Sequence, residues 1–314
     1  MYEQHFGFRE KPFSMTSDPA LLFLGSKHAT GLNMLRYGLM NRAGITVLTG
    51  EIGAGKTTLL RQLLNETESA VVVGLISNTH ESFGNLMQWV SLAFGLPVTS
   101  DSKAVLYEQF SQFLIAQYAQ GKRTVLIVDE AQNLEKHALE ELRLLTNINA
   151  DKDQLLQLVL AGQPDLRERL QLPGLMQFVQ RISVDYHLSP LNPEETERYI
   201  NHRLVAVGGT AGLFDPAACR FIHYQSNGVP RIINSICDTA LVYGYASGET
   251  QISVHLVFDM VIERVSAGLF GAGVLDFEEL GAGDPNQLRK RALDRARLRA
   301  ASNLRRATSE TAIT

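Results

Sequence analysis

Cysteine is nearly absent from this chain: Cys219 and Cys237 are the two in 314 residues. Both lie within apolar helical patterns, so neither a disulfide framework nor a cysteine metal site is expected. They read as small core residues of a protein kept in a reducing compartment. No uninterrupted apolar run approaches the ~20 residues a membrane-spanning helix needs. The opening carries no charged-then-apolar leader, so no signal peptide is expected and a cytoplasmic location is the default. No internal repeat is evident. Charge of one sign is also not in excess: the net charge of −4 excludes an overall bias toward nucleic acid or membrane surfaces. What remains, 45% hydrophobic and 20% charged residues, is ordinary globular composition, long enough for one large core and a smaller domain.

Against that plain background one stretch stands out, Gly50-Glu51-Ile52-Gly53-Ala54-Gly55-Lys56-Thr57. It fits G-x-x-x-x-G-K-[ST], the phosphate-binding P-loop. Ile45-Thr46-Val47-Leu48 precedes it as a buried-strand run, and Thr58 to Leu64 follows as a helix without Gly or Pro. Strand, glycine loop and helix form the context the motif needs. Gly50, Gly53 and Gly55 let backbone N–H groups turn toward a polyphosphate, and the new helix adds its positive end. Lys56 supplies a point charge to the β- and γ-phosphates, and the Thr57 hydroxyl is a Mg²⁺ ligand. Ala54 and Thr58 complete the nucleotide-binding set. The competing reading is a chance glycine turn.

Upstream, Tyr2, Phe6, Phe8, Pro12, Phe13, Pro19 and Phe23 mark an extended segment packed on the core. Phe6, Pro12 or Phe13 is a candidate adenine wall; plain core packing is the alternative. Ser26 is the expected cap of a helix that carries Leu32, Leu35 and Leu39. Downstream, Val71 to Ile76 reads as a strand, and helical spacing follows over Phe83, Leu86, Met87, Val90 and Phe94, then over Leu106, Phe110, Phe113 and Leu114.

Thr124-Val125-Leu126-Ile127-Val128-Asp129-Glu130 is the second informative stretch. An apolar strand ending in Asp-Glu has the Walker B form. It delivers Asp129 to the strand's C-terminal end, where ligands bind in parallel α/β sheets. Asp129 would hold Mg²⁺, and Glu130 would activate the water that attacks the γ-phosphate. The competing reading is an acidic turn after a core strand. Leu155 to Ala161 is a fourth strand, ending at Gly162-Gln163-Pro164. Gln163 is the candidate γ-phosphate sensor, or else a loop glutamine. Ile182 to Leu188 is a fifth strand, and Arg181 directly before it is either an arginine finger for a neighbour's γ-phosphate or a surface arginine.

From Pro190 strand signals give way to four helical segments, Pro193 to Val207, Pro216 to Gln225, Arg231 to Tyr243 and Val254 to Val265. Gly228-Val229-Pro230-Arg231 opens the third, and Arg231 could reach over the nucleotide. The expected division is 1–189 for a nucleotide-binding core, 190–266 for a helical lid and 267–314 for a glycine-containing linker and basic tail. Between residues 289 and 306 that tail sets Arg289, Lys290, Arg291, Arg295, Arg297, Arg299, Arg305 and Arg306 against Asp294 alone. Phosphates, an acidic lipid surface or solvent are its three possible surroundings.

Taken together these motifs resemble an AAA+ ATPase over roughly Met1 to Val265. Several stretches narrow the resemblance: Phe6-Gly7-Phe8 through Lys11-Pro12-Phe13 with Asp18-Pro19, the P-loop with Thr58, Asp129-Glu130-Ala131-Gln132-Asn133-Leu134, Gly162-Gln163-Pro164-Asp165-Leu166, Tyr186-His187-Leu188-Ser189-Pro190-Leu191, and Gly228-Val229-Pro230-Arg231-Ile232-Ile233-Asn234. They are similar to the general secretion pathway protein A (ExeA-like) ATPases, especially the secretion ATPases of exosortase and exopolysaccharide export systems. The resemblance implies an α/β P-loop fold, with a five-stranded parallel sheet in the order 5-1-4-3-2 and a small all-helical lid. It implies ATP and Mg²⁺ bound between subunits of a ring or partial ring. Lys56 and Thr57 fall at the phosphate and Mg²⁺ positions, Asp129 and Glu130 at the Walker B pair. Gln163 falls at sensor 1, where asparagine or threonine is common, Arg181 at the finger and Arg231 at sensor 2. Full-length members continue through a membrane span into a peptidoglycan-binding domain, and this chain shows neither. The expected role is therefore a cytoplasmic motor or switch, peripheral to an inner-membrane export complex. The alternative is an ATP-dependent DNA-binding regulator like the transposition ATPases, with the basic tail on DNA.

Overall fold

The computed structural model describes residues 1–16, 19–67, 70–77, 85–150 and 153–266. Asp18, Phe83 and the basic tail from 267 onward lie outside the described residues. The five expected strands are present: β1 (Ile45–Gly50), β2 (Val71–Ile76), β3 (Arg123–Val128), β4 (Leu156–Gly162) and β5 (Ile182–Leu188). They pair in parallel in the order β2-β3-β4-β1-β5, the expected 5-1-4-3-2 arrangement. β1 and β4 are buried along their whole length. β2 and β5, at the edges, are only partly covered. The edge strand β5 accordingly alternates apolar and polar residues, whereas β2 is an apolar run despite its edge position.

Helices cover both faces. α1 (Tyr2–Phe6) opens the chain, and α2 (Ser26–Met40) leads into β1. α3 (Lys56–Asn65) leaves the P-loop, followed by α4 (Leu86–Ala93) and α5 (Lys103–Ala119). α6 (Lys136–Leu145), α7 (Asp165–Leu170) and α8 (Met176–Val179) flank β4 in the sequence. One core cluster packs α4, α5 and α6 on one side of the sheet, and a second packs α2 and α3 on the other. A two-residue antiparallel pair, Asn149–Ala150 with Asp153–Gln154, precedes β4 and had no sequence signal.

The carboxy-terminal helices are α9 (Pro193–Ala206), α10 (Pro216–Ser226), α11 (Pro230–Ala246) and α12 (Val254–Ser266). The proline starts of α9, α10 and α11 agree with the sequence, and α12 begins at Val254 without one. They enclose a separate hydrophobic cluster, which Tyr2, Phe8, Phe13 and Leu21 from the opening segment join. The amino-terminal aromatics therefore complete the helical cluster rather than the sheet's. Buried Arg203 holds this arrangement: its Nε donates to the Pro12 carbonyl at 2.6 Å and its Nη2 to the Ser14 carbonyl at 3.3 Å.

Ser26 is not the cap of α2. Gly25 occupies the N-cap position without a side-chain bond, and Ser26 is the first helical residue. Its N–H donates to Glu195 Oε1 of α9 at 2.7 Å. Glu195 also closes the capping box of its own helix with Asn192. One buried carboxylate thus serves the amino-terminal N–H groups of two helices.

Candidate active site

The parallel register brings the C-terminal ends of β1, β3 and β4 side by side, with Thr49 beside Gly162 and Val128 beside Leu160. The P-loop leaves β1 with Gly53 at φ +81° and Gly55 at φ +103°, backbone that side chains rarely adopt. Gly50 serves differently from the other two. Its φ is not positive, and a Cβ there would lie 2.7 Å from the Leu188 carbonyl oxygen, so glycine is needed for close approach to β5. Gly55 is the N-cap of α3 and gives it no side-chain cap. Gly55, Lys56, Thr57 and Thr58 line a cleft of about 250 Å³, so the uncapped positive end of α3 faces that space. Ala54 is buried behind the loop.

Lys56 is buried, and its Nζ donates to the carbonyls of Gly50 at 2.8 Å and Glu51 at 3.0 Å. Burial pushes its ammonium below the usual lysine value, against the opposing pull of the Glu130, Asp129 and Glu51 carboxylates. Thr57 Oγ1 donates to Asp129 Oδ2 at 2.7 Å. The two predicted metal ligands are thus in direct contact. A hydroxyl and a carboxylate are the hard oxygen donors that suit Mg²⁺, so the residues fit the ion.

Glu130 follows Asp129 in the left-handed conformation, φ 55° and ψ 36°. For a residue other than glycine this costs about 1–3 kcal/mol, a conformation shared among the described residues by Arg42 and Asn227. Its Oε2 accepts from Gln132 Nε2 at 2.7 Å and from Gln163 Nε2 at 3.2 Å. Gln132 Oε1 in turn accepts the Gln163 backbone N–H at 3.0 Å. Gln132 therefore ties the end of β4 to the end of β3 and helps aim the carboxylate. Sequence reasoning assigned it no role; its position three residues past Asp129, next to an acidic strand end, was the available signal.

Arg231 stands at the cleft's rim, where its backbone N–H donates to the Gly53 carbonyl at 3.3 Å. A Cβ on Gly53 would lie 2.5 Å from Arg231 Cβ, so the P-loop accepts the start of α11 only as glycine. Arg181 is elsewhere. It precedes Ile182, which pairs with Ile45 at the opposite end of β1 from the P-loop. At ~3.3 Å per residue over six residues, Arg181 is about 20 Å along the strands from its own P-loop. Its Nη1 donates to Thr146 Oγ1 at 3.3 Å.

The candidate adenine walls are not where expected. Phe13 is buried edge-on against Phe214 at 5.9 Å, and Phe6 stacks on Phe8 at 5.8 Å. The helical cluster takes up these rings, and Met15, Leu22, Phe23, Tyr199 and Asn234 line the cleft instead. Sequence reasoning also passed over His28, which lines the cleft beside the P-loop. Cys219 and Cys237 are buried free thiols, as expected. Burial pushes Cys219 up to about 12 and raises Cys237 as well, which keeps both unreactive. Among the described residues no helix is long and apolar enough to cross a membrane, and none of the His, Cys, Asp and Glu residues forms a metal-binding cluster of three.

A five-stranded parallel sheet in this order, with a P-loop after β1 and Asp-Glu after β3, defines an AAA+ P-loop ATPase. A family profile described as "AAA domain" matches residues 39–170. The chain is 41% identical over 267 residues to general secretion pathway protein A of Aeromonas hydrophila, an alignment covering 85% of this chain and 49% of that protein. It belongs to the ExeA-like AAA+ ATPases. The chain spans about half the length of that relative. Among solved structures it is similar to Cdc6p from Pyrobaculum aerophilum, with TM-score 0.61, 17% identity, and coverage of 83% of this chain and 71% of the other. It is also similar to Aeropyrum pernix ORC2 in its ADPNP–ADP complexes, with TM-score 0.53, 17% identity, and coverage of 79% and 76%. Identities this low speak to the fold alone.

Proposed function

We propose that this chain binds and hydrolyses ATP with Mg²⁺, and that a ring or partial ring of copies uses the cycle to assemble or energise a secretion or exopolysaccharide export complex. The observation that carries the catalytic part is the Glu130 carboxylate, held in strained backbone by two amides beside the Thr57–Asp129 pair. The export role is supported by the likeness to general secretion pathway protein A. Contact with an inner-membrane complex from the cytoplasmic side follows from that reading. The DNA-regulator alternative leans on the basic tail, which lies outside the described residues.

In this reading the N–H groups of the P-loop and of α3's first turn, with Lys56, hold the triphosphate. Gly50, Gly53, Ala54, Gly55 and Thr58 shape that cradle. Mg²⁺ at Thr57 and Asp129 would neutralise charge on the β- and γ-phosphates. Glu130 takes a proton from the attacking water as the new P–O bond forms and the bond to ADP breaks. Gln163 and Gln132 keep Glu130 aimed. Arg231 reports nucleotide to α11 and the helices packed on it. Arg181 is too far from its own P-loop to act there, so it stabilises transition-state charge in a second copy's site.

Two variants test the assignment. Lys56→Ala weakens ATP binding. Glu130→Gln binds ATP as the wild type does but loses about 10²-fold or more in turnover, the usual contribution of a general base. Turnover unchanged in Glu130→Gln would remove the base assignment.

A further inference from the structure

Arg203 on α9 is buried, with 5% of its surface exposed, and among the described residues no carboxylate pairs with it. A buried cation without a counter-ion is costly, so what it does bond is informative. Its Nε and Nη2 donate to the Pro12 and Ser14 carbonyls, two residues apart, a span that a planar fork of donors covers and a lysine does not. Its Nη1 reaches the Tyr199 hydroxyl at 3.5 Å, and that hydroxyl donates to Asn234 Oδ1 at 2.7 Å. Asn234 Nδ2 in turn donates to the same Ser14 carbonyl at 3.4 Å. Side chains of α9 and α11 thus clasp a strap that lies 191 positions away in sequence. Residues 11–16 form no helix or strand, so this clasp and buried Phe13 set the strap's path. Just past the clasp, the Ser14 hydroxyl accepts the Thr16 N–H at 3.3 Å and lies 2.7 Å from the Thr16 hydroxyl.

The strap then enters the cleft beside the P-loop: Met15 and Thr16 line it, together with Tyr199, Arg203 and Asn234. Met15 is 54% exposed, so a ligand in the cleft can reach its side chain. With phosphates on the P-loop and Lys56, a nucleoside takes the remaining walls, among them the apolar Met15, Leu22 and Phe23. We propose that Arg203 is a positioning residue of the nucleotide site. By closing on Pro12 and Ser14 it sets Met15 as a wall against the nucleoside, so that the strap and helices α9 and α11 grip the nucleotide as one unit. Arg203 acts through the strap, and this rests on the nucleotide-binding reading above.

Calorimetric binding of ATP and of inorganic tripolyphosphate, which carries phosphates without a nucleoside, to the full chain and its variants provides the test. The wild type is expected to prefer ATP. Arg203→Met, close in length but without donors, should weaken ATP about tenfold, the worth of covering roughly 50 Å² of apolar surface, and leave tripolyphosphate unchanged. Met15→Ser, at an exposed position, should weaken ATP alone by about fivefold. Combined with Arg203→Met it should add little, because an open strap has already lost that wall. An arginine that serves only the fold would weaken both ligands alike, and that result overturns the assignment, as does an ATP preference that survives in Arg203→Met. Should Arg203→Met fail to fold, Arg203→Lys, which keeps the charge but spans one carbonyl at a time, carries the same prediction in smaller measure. An unchanged ATP preference in Met15→Ser overturns the wall whatever the arginine variants do. A wild type that binds ATP and tripolyphosphate equally removes this inference alone; one that binds neither removes the nucleotide reading beneath it.

Discussion

At the scale of single residues, the site is an arrangement of acceptors and donors around one carboxylate. Glu130 Oε2 receives two amide N–H groups, and Gln132 supplies one of them while accepting the Gln163 backbone N–H. Gln132→Ala removes two bonds at once and leaves the Gln163 N–H without this partner. Turnover should fall about tenfold, equivalent to one kcal/mol or slightly more, with ATP affinity little changed. Steady-state kinetics with a separate binding assay distinguishes this from a general loss of fold, which would lower both. That Lys56, Thr57, Asp129 and Glu130 come together was legible because each lies within a local motif whose flanks announce strand or helix. Gln132 and His28 were not, because what makes them interesting is a partner distant in sequence: Gln163 for one, Ala54 for the other.

At the scale of elements, the strand order and the proline-started helices were legible, and the contacts that tie the amino-terminal part of the chain to the carboxy-terminal helices were not. Ser26 has the composition of a cap, but Glu195 of α9 satisfies its N–H from 169 residues away, so a side-chain cap is unnecessary. Phe13 has the composition of a base-stacking wall, but Phe214 competes for its face. The glycines in the turns after α10 and after α11 also differ in what they tolerate. A Cβ on Gly228 would lie 1.9 Å from the Leu191 carbonyl oxygen, and its φ is +71°. Gly248 has φ +69° with nothing within 4 Å of the same position. Gly248→Ala should therefore cost only the left-handed backbone term, about 1–2 kcal/mol. Gly228→Ala adds a clash with rigid backbone and should cost a further ~1–3 kcal/mol. Thermal or denaturant melts of the two variants compare them directly. Equal losses would mean that the turn at Gly228 yields more easily than its packing indicates.

At the scale of the whole molecule, two consequences follow. The first concerns pH. Burial lowers the proton affinity of His28, His187 and His223 below the usual histidine value of 6.5. As pH falls through that value, the unfolded chain takes up protons that the folded rings refuse, so the folded state loses stability. The effect starts near pH 6.5, deepens toward the lower folded-state values and is absent above pH 7. Melting temperature measured from pH 8 to 5 should be flat and then decline. The carboxylates held low by partners, Glu66 and Asp153, act only below their ordinary values of 4.5 and 3.8. A profile that declines only below pH 4.5 would assign the loss to carboxylates instead.

The second consequence belongs to the proposed function, in which one copy alone is incomplete. Lys56, Thr57, Asp129 and Glu130 meet at one end of the sheet, and Arg181 lies at the other, bonded to Thr146. In the proposed assembly, head-to-tail contact between copies would bring these ends together, and such an interface continues into rings. The most direct measurement is ATP turnover by Arg181→Ala, by Lys56→Ala and by their equimolar mixture. Each variant alone should be nearly inactive. The mixture should recover up to about a quarter of wild-type turnover, the share of random head-to-tail contacts that pair an intact Lys56 with an intact Arg181. A mixture as inactive as its parents, or an Arg181→Ala protein as active as the wild type, would contradict the shared site.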